Sequence, residues 1–328
     1  MIQRHDILCD FSMAHVKVES EKGVETILKE AGFTISQRCC SRPSCFDFAA
    51  RKNNTLVFIK IQPDIGNISP RDPLELTAIS ELVSAVSLLI SEKVREKPLE
   101  DDTIYSRYNV LAVTGKTFEN MVLHEIYPLI QAGPGGYYVE IDAKAIKRKR
   151  EESGLSIGEL AQMMGTSRRT LYGYERGMAK ASVSAAYSLM CILGIPVAKS
   201  MNPLEKSETQ PKCFLTAAKR AIVRSRVLQR IFRKLAHHNV TAFKKAPFDF
   251  IITVEDEEMR IIGGVTSKKE RDLDRRVNEI LSVSRVVQAH PILITEGGQK
   301  TLSKDILCLR SEELSRIKDP EDLIVNLK

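Results

Sequence analysis

A chain of 328 residues with 43% hydrophobic and 28% charged side chains can fill two or three packed domains and lacks the bias of a fibrous or disordered protein. No apolar run approaches the ~20 residues of a membrane span, and the start "MIQRHDILCDFS" is not a secretory signal; with an odd seven cysteines, the expectation is a cytoplasmic protein of free thiols. The net charge of +7 is uneven, with seven basic and no acidic residues over 217–234 and nine basic against five acidic over 142–180, which points to a polyanionic partner.

The first third opens with an amphipathic helix in "GVETILKEAGFTIS". "CFDFAARKNNTLVFIKIQ" then places an aspartate in an apolar stretch before a polar turn and an alternating strand, with Lys60 and Gln62 on one face. A long helix is predicted over 76–91, then a strand and a short helix over 108–121. Helix, three strands, helix, strand is the order of a small α/β domain with a mixed sheet. It resembles the restriction-endonuclease-like fold, in particular archaeal Holliday-junction resolvases.

That resemblance implies a metal site made from an aspartate on one strand and Glu-x-Lys on the next. Asp47 fits the first position, but Lys60 stands where the glutamate is expected and Gln62 where the lysine is. An ammonium in place of a carboxylate removes a ligand and adds repulsion. Asp47 and Lys60 are therefore expected to pair as ions, leaving no catalytic residue, metal or cofactor unless Glu21 or Glu25 supplies a carboxylate. "TGKTF" ends like a phosphate loop, but Val110 occupies the place of its first glycine. Cys39, Cys40 and Cys45 lack a fourth zinc ligand nearby and are expected as buried thiols.

"AGPGGYY" (132–138) reads as a flexible joint. Beyond it, four short helices are predicted over 143–153, 157–164, 167–176 and 182–193. They are punctuated by Gly154, Gly165, Gly177 and Gly194, with a capping box at Ser156 and Glu159 and a cap at Ser167. Ala161 and Gly165 let two helices cross closely, as in a helix-turn-helix. "LSIGELAQMMGTSRRTLYGYERG" closely resembles the Cro/C1-type helix-turn-helix family. The resemblance implies that the recognition helix, 167–176, enters the major groove with Arg168 and Arg169 reading bases; Thr170 and Tyr172 reach base edges or backbone. Lys147, Arg148, Lys149, Arg150, Ser156, Ser167, Arg176 and Lys180 are the candidate phosphate contacts. Ile157 stands where the family often has glutamine, and Gly173 at a further base-reading position has no side chain, so specificity from this helix is expected to be modest. Glu175 is expected to hold the helix end.

After a polar, proline-containing linker, "FDF" recurs at 248–250, within the same order of helix, strands, long helix (273–288), then a strand and the start of a short helix (304–317). This second copy keeps Asp249, but "RIIGGVTS" offers no carboxylate. The expected architecture is multidomain α/β plus all-α: a degenerate nuclease-like domain at 1–130, a joint at 131–141, the helix-turn-helix at 142–198, a linker at 199–213 and a second degenerate nuclease-like domain at 214–328. With "RPSCFDFAAR", "PGGYYVEID" and "SRRTLYGYERGM", the whole resembles the archaeal HTH-type transcriptional regulatory proteins. That implies a homodimer on double-stranded DNA, with half-sites ~34 Å apart, and no membrane; no small-molecule effector is legible. The alternatives are a nuclease of the resolvase type, and an architectural protein binding duplex or branched DNA through the helix at 217–234.

Overall fold

A computed structural model describes residues 22–206, 226–235, 239–254, 259–266, 272–295 and 305–315, with 270, 303, 319–320 and 322–325. Helix α1 (Val24–Glu30) leads into β1 (Thr34–Ile35), β2 (Phe48–Lys52) and β3 (Thr55–Ile61). Helix α2 (Arg71–Leu82) and β4 (Val86–Ile90) follow. The small hairpin β5 (Lys93–Val94) and β6 (Lys97–Pro98), then β7 (Thr103–Arg107), β8 (Val110–Val113) and α3 (Gly115–His124), complete the first lobe. Strands β3, β4 and β8 are parallel neighbours, and β1, β2 and β3 are antiparallel.

The single helix expected over 76–91 is corrected. It ends at Leu82, Ser84 takes a left-handed turn at φ 56°, and "VSLLI" becomes strand β4. Leu88, Leu89 and Ile90 are all buried, so the segment carries no alternation, and a short apolar run does not by itself distinguish a helix from a covered strand.

The expected flexible joint is also corrected, because it is a hairpin. Strand β9 (Ile130–Gly133) pairs parallel with β7; β10 (Gly136–Val139) pairs antiparallel with β9 and with β11 (Ala181–Ser182). One nine-stranded sheet thus runs from the first lobe into the helical unit. That unit packs α4 (Ala143–Glu152), α5 (Ile157–Met163), α6 (Arg168–Glu175) and α7 (Val183–Leu193) around Ile146, Leu160, Leu171 and Leu189. The chain leaves beside where it came in. Ile141 bridges Ala198, Lys199 N donates to Glu140 O (2.8 Å), and Met201 and Leu204 rest on the first-lobe core.

The second lobe is described from α8 (Arg226–Lys234), which falls within the segment 217–234 expected as a basic helix; 217–225 and the linker beyond 206 lie outside the described residues. Strands β12 (Asn239–Ala242), β13 (Phe250–Val254), β14 (Met259–Thr266), β15 (His290–Thr295) and β16 (Leu307–Arg310) follow, with α9 (Leu273–Val287) after β14 and α10 (Asp322–Val325) last. Their order, two antiparallel pairings then two parallel, repeats that of β1-β2-β3-β4-β8.

The two lobes share one core. Phe46, Leu76 and Ile79 of the first pack in a single cluster with Phe248, Val277 and Ile280 of the second, and the rings of Phe46 and Phe248 lie 6.3 Å apart. The polar contacts are reciprocal. Glu75 on α2 accepts from the backbone N–H groups of Lys244 and Lys245 (both 2.8 Å). Glu279 on α9 accepts from those of Cys40 (2.9 Å) and Ser41 (2.8 Å). Cys39 and Phe243, the preceding residues, donate in the same way to Asp47 O and Asp249 O. Contacts of i with j and of j with i are the mark of an isologous interface, here closed within one chain.

Candidate nucleic-acid interface

Local chemistry sets the frame of the helical unit. Ser156 Oγ accepts from Glu159 N (3.2 Å) while the Glu159 carboxylate accepts from Ser156 N (2.8 Å), so the capping box forms. Gly165 turns the chain at φ 63°, and Ser167 Oγ accepts from Thr170 N (3.0 Å) to start α6. Ala161 is buried, leaving α5 and α6 in close contact.

Ser156, Arg168, Arg169 and Tyr172 line one open depression with Ile157 and Gly158, about 570 Å³ in volume. The Arg168 guanidinium rests on Gly158, where a β-carbon would come within 2.9 Å of its Nε. Arg169 stands free in solvent. The Thr170 hydroxyl is bonded to Ser167 Oγ (2.8 Å), which ties both to the cap. Arg176 stacks over the Tyr172 ring at 5.1 Å, and Lys180 bonds Gln131 on the hairpin. Lys147 and Arg148 are exposed on α4 and Lys149 partly so; Arg148 and Lys149 each lie 3.9 Å from Glu152.

Arg150 does not belong with them, and its assignment to phosphate is corrected. It is 7% exposed, with Nε 2.5 Å from Glu175 Oε1, Nη2 2.9 Å from Oε2, and Nη1 donating to Leu155 O (2.8 Å). The hydrogen bonds to Glu175 hold its guanidinium pKa above the usual arginine value. Ile146 and Arg150, four apart, form the inner face of α4, whereas a run of basic residues in sequence does not say which face each occupies.

The two nuclease-like centres are closed by their neighbours. Asp47 is buried; Oδ2 accepts from Ile61 N (2.7 Å), and Oδ1 lies 3.4 Å from Lys60 Nζ, which also donates to Ser44 O (3.1 Å). Gln62 lies just past the end of β3, half-buried, its N–H donating to Ile90 O. Asp249 repeats the backbone bond, accepting from Val265 N (2.6 Å), but its cations come from elsewhere. Arg276, fully buried on α9, donates to Oδ2, and Arg42 of the first lobe to Oδ1 (2.9 Å). Gly264 stands in the place of Lys60, and a β-carbon there would come within 2.8 Å of Ile280 Cδ1 and 3.2 Å of Leu293 Cδ1, so no larger side chain fits without a shift of these neighbours. Of the alternative carboxylates, Glu25 is paired with Lys29 (2.8 Å) on the surface and Glu21 lies outside the described residues. Among the described residues no three His, Cys, Asp or Glu side chains converge as metal ligands. Burial pushes the Cys39 and Cys45 thiols well above their ordinary pKa. The sequence did not signal Arg276, Glu75 or Glu279, since each acts across a gap of many residues.

Comparison with known proteins bears on both parts. Residues 19–128 match the PD-(D/E)XK superfamily domain and residues 146–199 match the helix-turn-helix family. A protein of Methanocella arvoryzae named "Putative HTH-type transcriptional regulatory protein" is 32% identical over 303 residues, 92% of each chain. The chain belongs to this archaeal family of HTH-type transcriptional regulatory proteins. Members from Methanococcoides burtonii (30% over 302 residues, 90% of this chain and 92% of that one) and Pyrococcus horikoshii (30% over 301 residues, 92% and 94%) carry the same description. A chain of the SinR protein/SinI protein complex aligns with 28% of this regulator and 89% of its own length at 26% identity, with a TM-score of 0.16, too low to bear on the fold. Among the regulator's described residues no helix is long and apolar enough to cross a membrane.

Proposed function

We propose that this regulator binds double-stranded DNA sequence-specifically as a homodimer, with α6 in the major groove and Arg168 and Arg169 at base edges. One observation carries the reading: the two arginines and Tyr172 share one open depression with the capped start of α5. Arginine suits bidentate bonding to guanine O6 and N7, worth ~1–3 kcal/mol of discrimination at each position. Lys147, Arg148, Lys149, Ser156, Ser167, Arg176 and Lys180 supply phosphate contacts that set register. The nuclease-like lobes are catalytically silent, because each aspartate is already neutralised by a fixed cation and a backbone N–H.

Selection from random duplex DNA near physiological salt, with a magnesium control for cleavage, tests this. The expected result is an enriched motif and intact DNA. Arg168→Ala then loses roughly 5- to 150-fold in preference for that motif over other sequences, equivalent to ~1–3 kcal/mol. Arg148→Ala weakens binding to all sequences alike and lowers the salt slope by about one. Equal losses on all sequences for both variants would reduce Arg168 to a phosphate contact. Binding with no enriched motif would favour the architectural role, with Arg230, Arg233 and Lys234 exposed on α8 as its charge. Magnesium-dependent cleavage lost in Asp47→Ala would overturn the silence of the lobes.

A further inference from the structure

Six glycines lie between residues 143 and 198. Gly154, Gly165, Gly177 and Gly194 take φ between 63° and 68°, where a side chain is strained. Gly173 in α6 has room for a β-carbon, whose nearest neighbour would be Ala179 Cβ at 3.8 Å. Gly158 differs from all five. It is the second residue of α5 and is not among the residues of positive φ. Yet a β-carbon there would meet Arg168 Nε at 2.9 Å, Nη2 at 3.0 Å and Cζ at 3.1 Å. Glycine in a helix is disfavoured against alanine, largely through the freedom it has in the unfolded chain. The backbone has no need of it here, so what the residue supplies is the space above its Cα.

All three of the nearest atoms belong to the Arg168 guanidinium, and this side chain has no other anchor. Among the described residues it takes no hydrogen bond or ion pair. Arg150, by contrast, is held by Glu175, and Arg176 lies over the Tyr172 ring. An arginine side chain has much rotamer freedom, whereas a bidentate bond to guanine uses one orientation of its planar fork. A seat on bare helix backbone removes part of that freedom before DNA arrives.

We infer that Gly158 is a positioning residue for sequence readout: the bare backbone of α5 seats the Arg168 guanidinium, so the first turn of α5 sets what the start of α6 can read. The inference rests on the proposed assignment of Arg168 to a base edge.

The test is a cycle of four full-length proteins: unmodified, Gly158→Ala, Arg168→Ala and both changes together. Binding is measured to the enriched motif, to the motif altered at the base pair where Arg168→Ala loses preference, and to an unrelated duplex of equal length. Gly158→Ala is expected to lower preference roughly 2- to 10-fold at that same base pair, with affinity for the unrelated duplex unchanged. Its melting temperature should hold or rise, since alanine fits a helical backbone. In the Arg168→Ala background the same change should have no effect, as for two residues that act through one contact. Preference untouched by Gly158→Ala, or reduced equally with and without Arg168, overturns the inference.

A second readout needs no DNA. NMR relaxation of the arginine Nε–H groups should show Arg168, identified by its loss in Arg168→Ala, more ordered than Arg169. Gly158→Ala should erase that difference. Arg168 as mobile as Arg169 in the unmodified chain overturns the seat itself. DNA binding with no enriched motif, while the order of Arg168 still depends on Gly158, would instead be a failure of the base-reading assignment: the seat stands and its part in specificity falls.

Discussion

Arg150 illustrates how much depends on where a single cation points. Its guanidinium ties the inner face of α4 to Glu175 at the end of α6, with one further bond to Leu155 O. Removing one member of a buried pair leaves the other charge uncompensated, at a cost of roughly 3 kcal/mol. Arg150→Ala should therefore lower the thermal stability of the helical unit by about that amount. DNA affinity should fall only as the unit unfolds, so cooling should restore it. An Arg150→Ala protein that melts normally yet binds DNA weakly at every temperature would return the residue to the phosphate surface. The pairing of Asp47 with Lys60 follows from the resemblance that sets Lys60 at the expected glutamate position, together with strand alternation, and the two groups do lie 3.4 Å apart. Asp249 was different. Its partners, Arg276 and Arg42, come from a helix and from the other lobe, and no spacing rule reaches that far.

At the scale of elements, legibility followed the chemistry of helix ends. Gly154, Gly165, Gly177 and Gly194 all take positive φ, and serines at 156, 167 and 182 all cap, which is why the helical unit could be read nearly residue by residue. The segment 76–91 had no such punctuation, and its strand was absorbed into the helix before it. The hairpin at 130–139 was hidden because its pairing partners, β7 and β11, lie far away in sequence. The caps also carry a pH dependence. Asp142 has its pKa lowered first by the N–H of Ala145, and Glu159 by the N–H of Ser156. A carboxyl held lower in the folded state stabilises fully above its unfolded pKa, near pH 4, and loses that contribution as pH falls through the folded value. Thermal melts between pH 6 and pH 3 should show the helical unit losing stability on acidification. An Asp142→Asn, Glu159→Gln protein should start lower and lose less. Equal slopes for the two proteins would exclude the caps as the source.

The molecule as a whole is one body built from two similar lobes, with the helical unit set between them in sequence. Phe248 is fully buried against Phe46 of the other lobe and Phe243 of its own. Emptying that site by Phe248→Ala should cost ~3–5 kcal/mol. Since the core is shared, calorimetry should show one lobe transition that moves to lower temperature as a unit. Two transitions, of which only one moves, would mean that the lobes melt independently.

The presence of both lobes in a single chain has a consequence for how they can change. In an assembly of identical subunits every substitution appears twice, and a charge placed near the axis meets its own copy. Here the two halves are separate stretches of sequence and can differ. Asp72 and Arg276 stand three residues before Glu75 and Glu279, at matching positions, yet only Asp72 keeps an ion pair across the seam, with Lys245. Ser41 occupies the position that matches Lys245, and Arg276 pairs with Asp249 and Glu270 inside its own lobe instead. Arg276 thus sits beside Asp249 as Lys60 sits beside Asp47, but from a helix rather than a strand, a one-sided arrangement that identical partners cannot adopt.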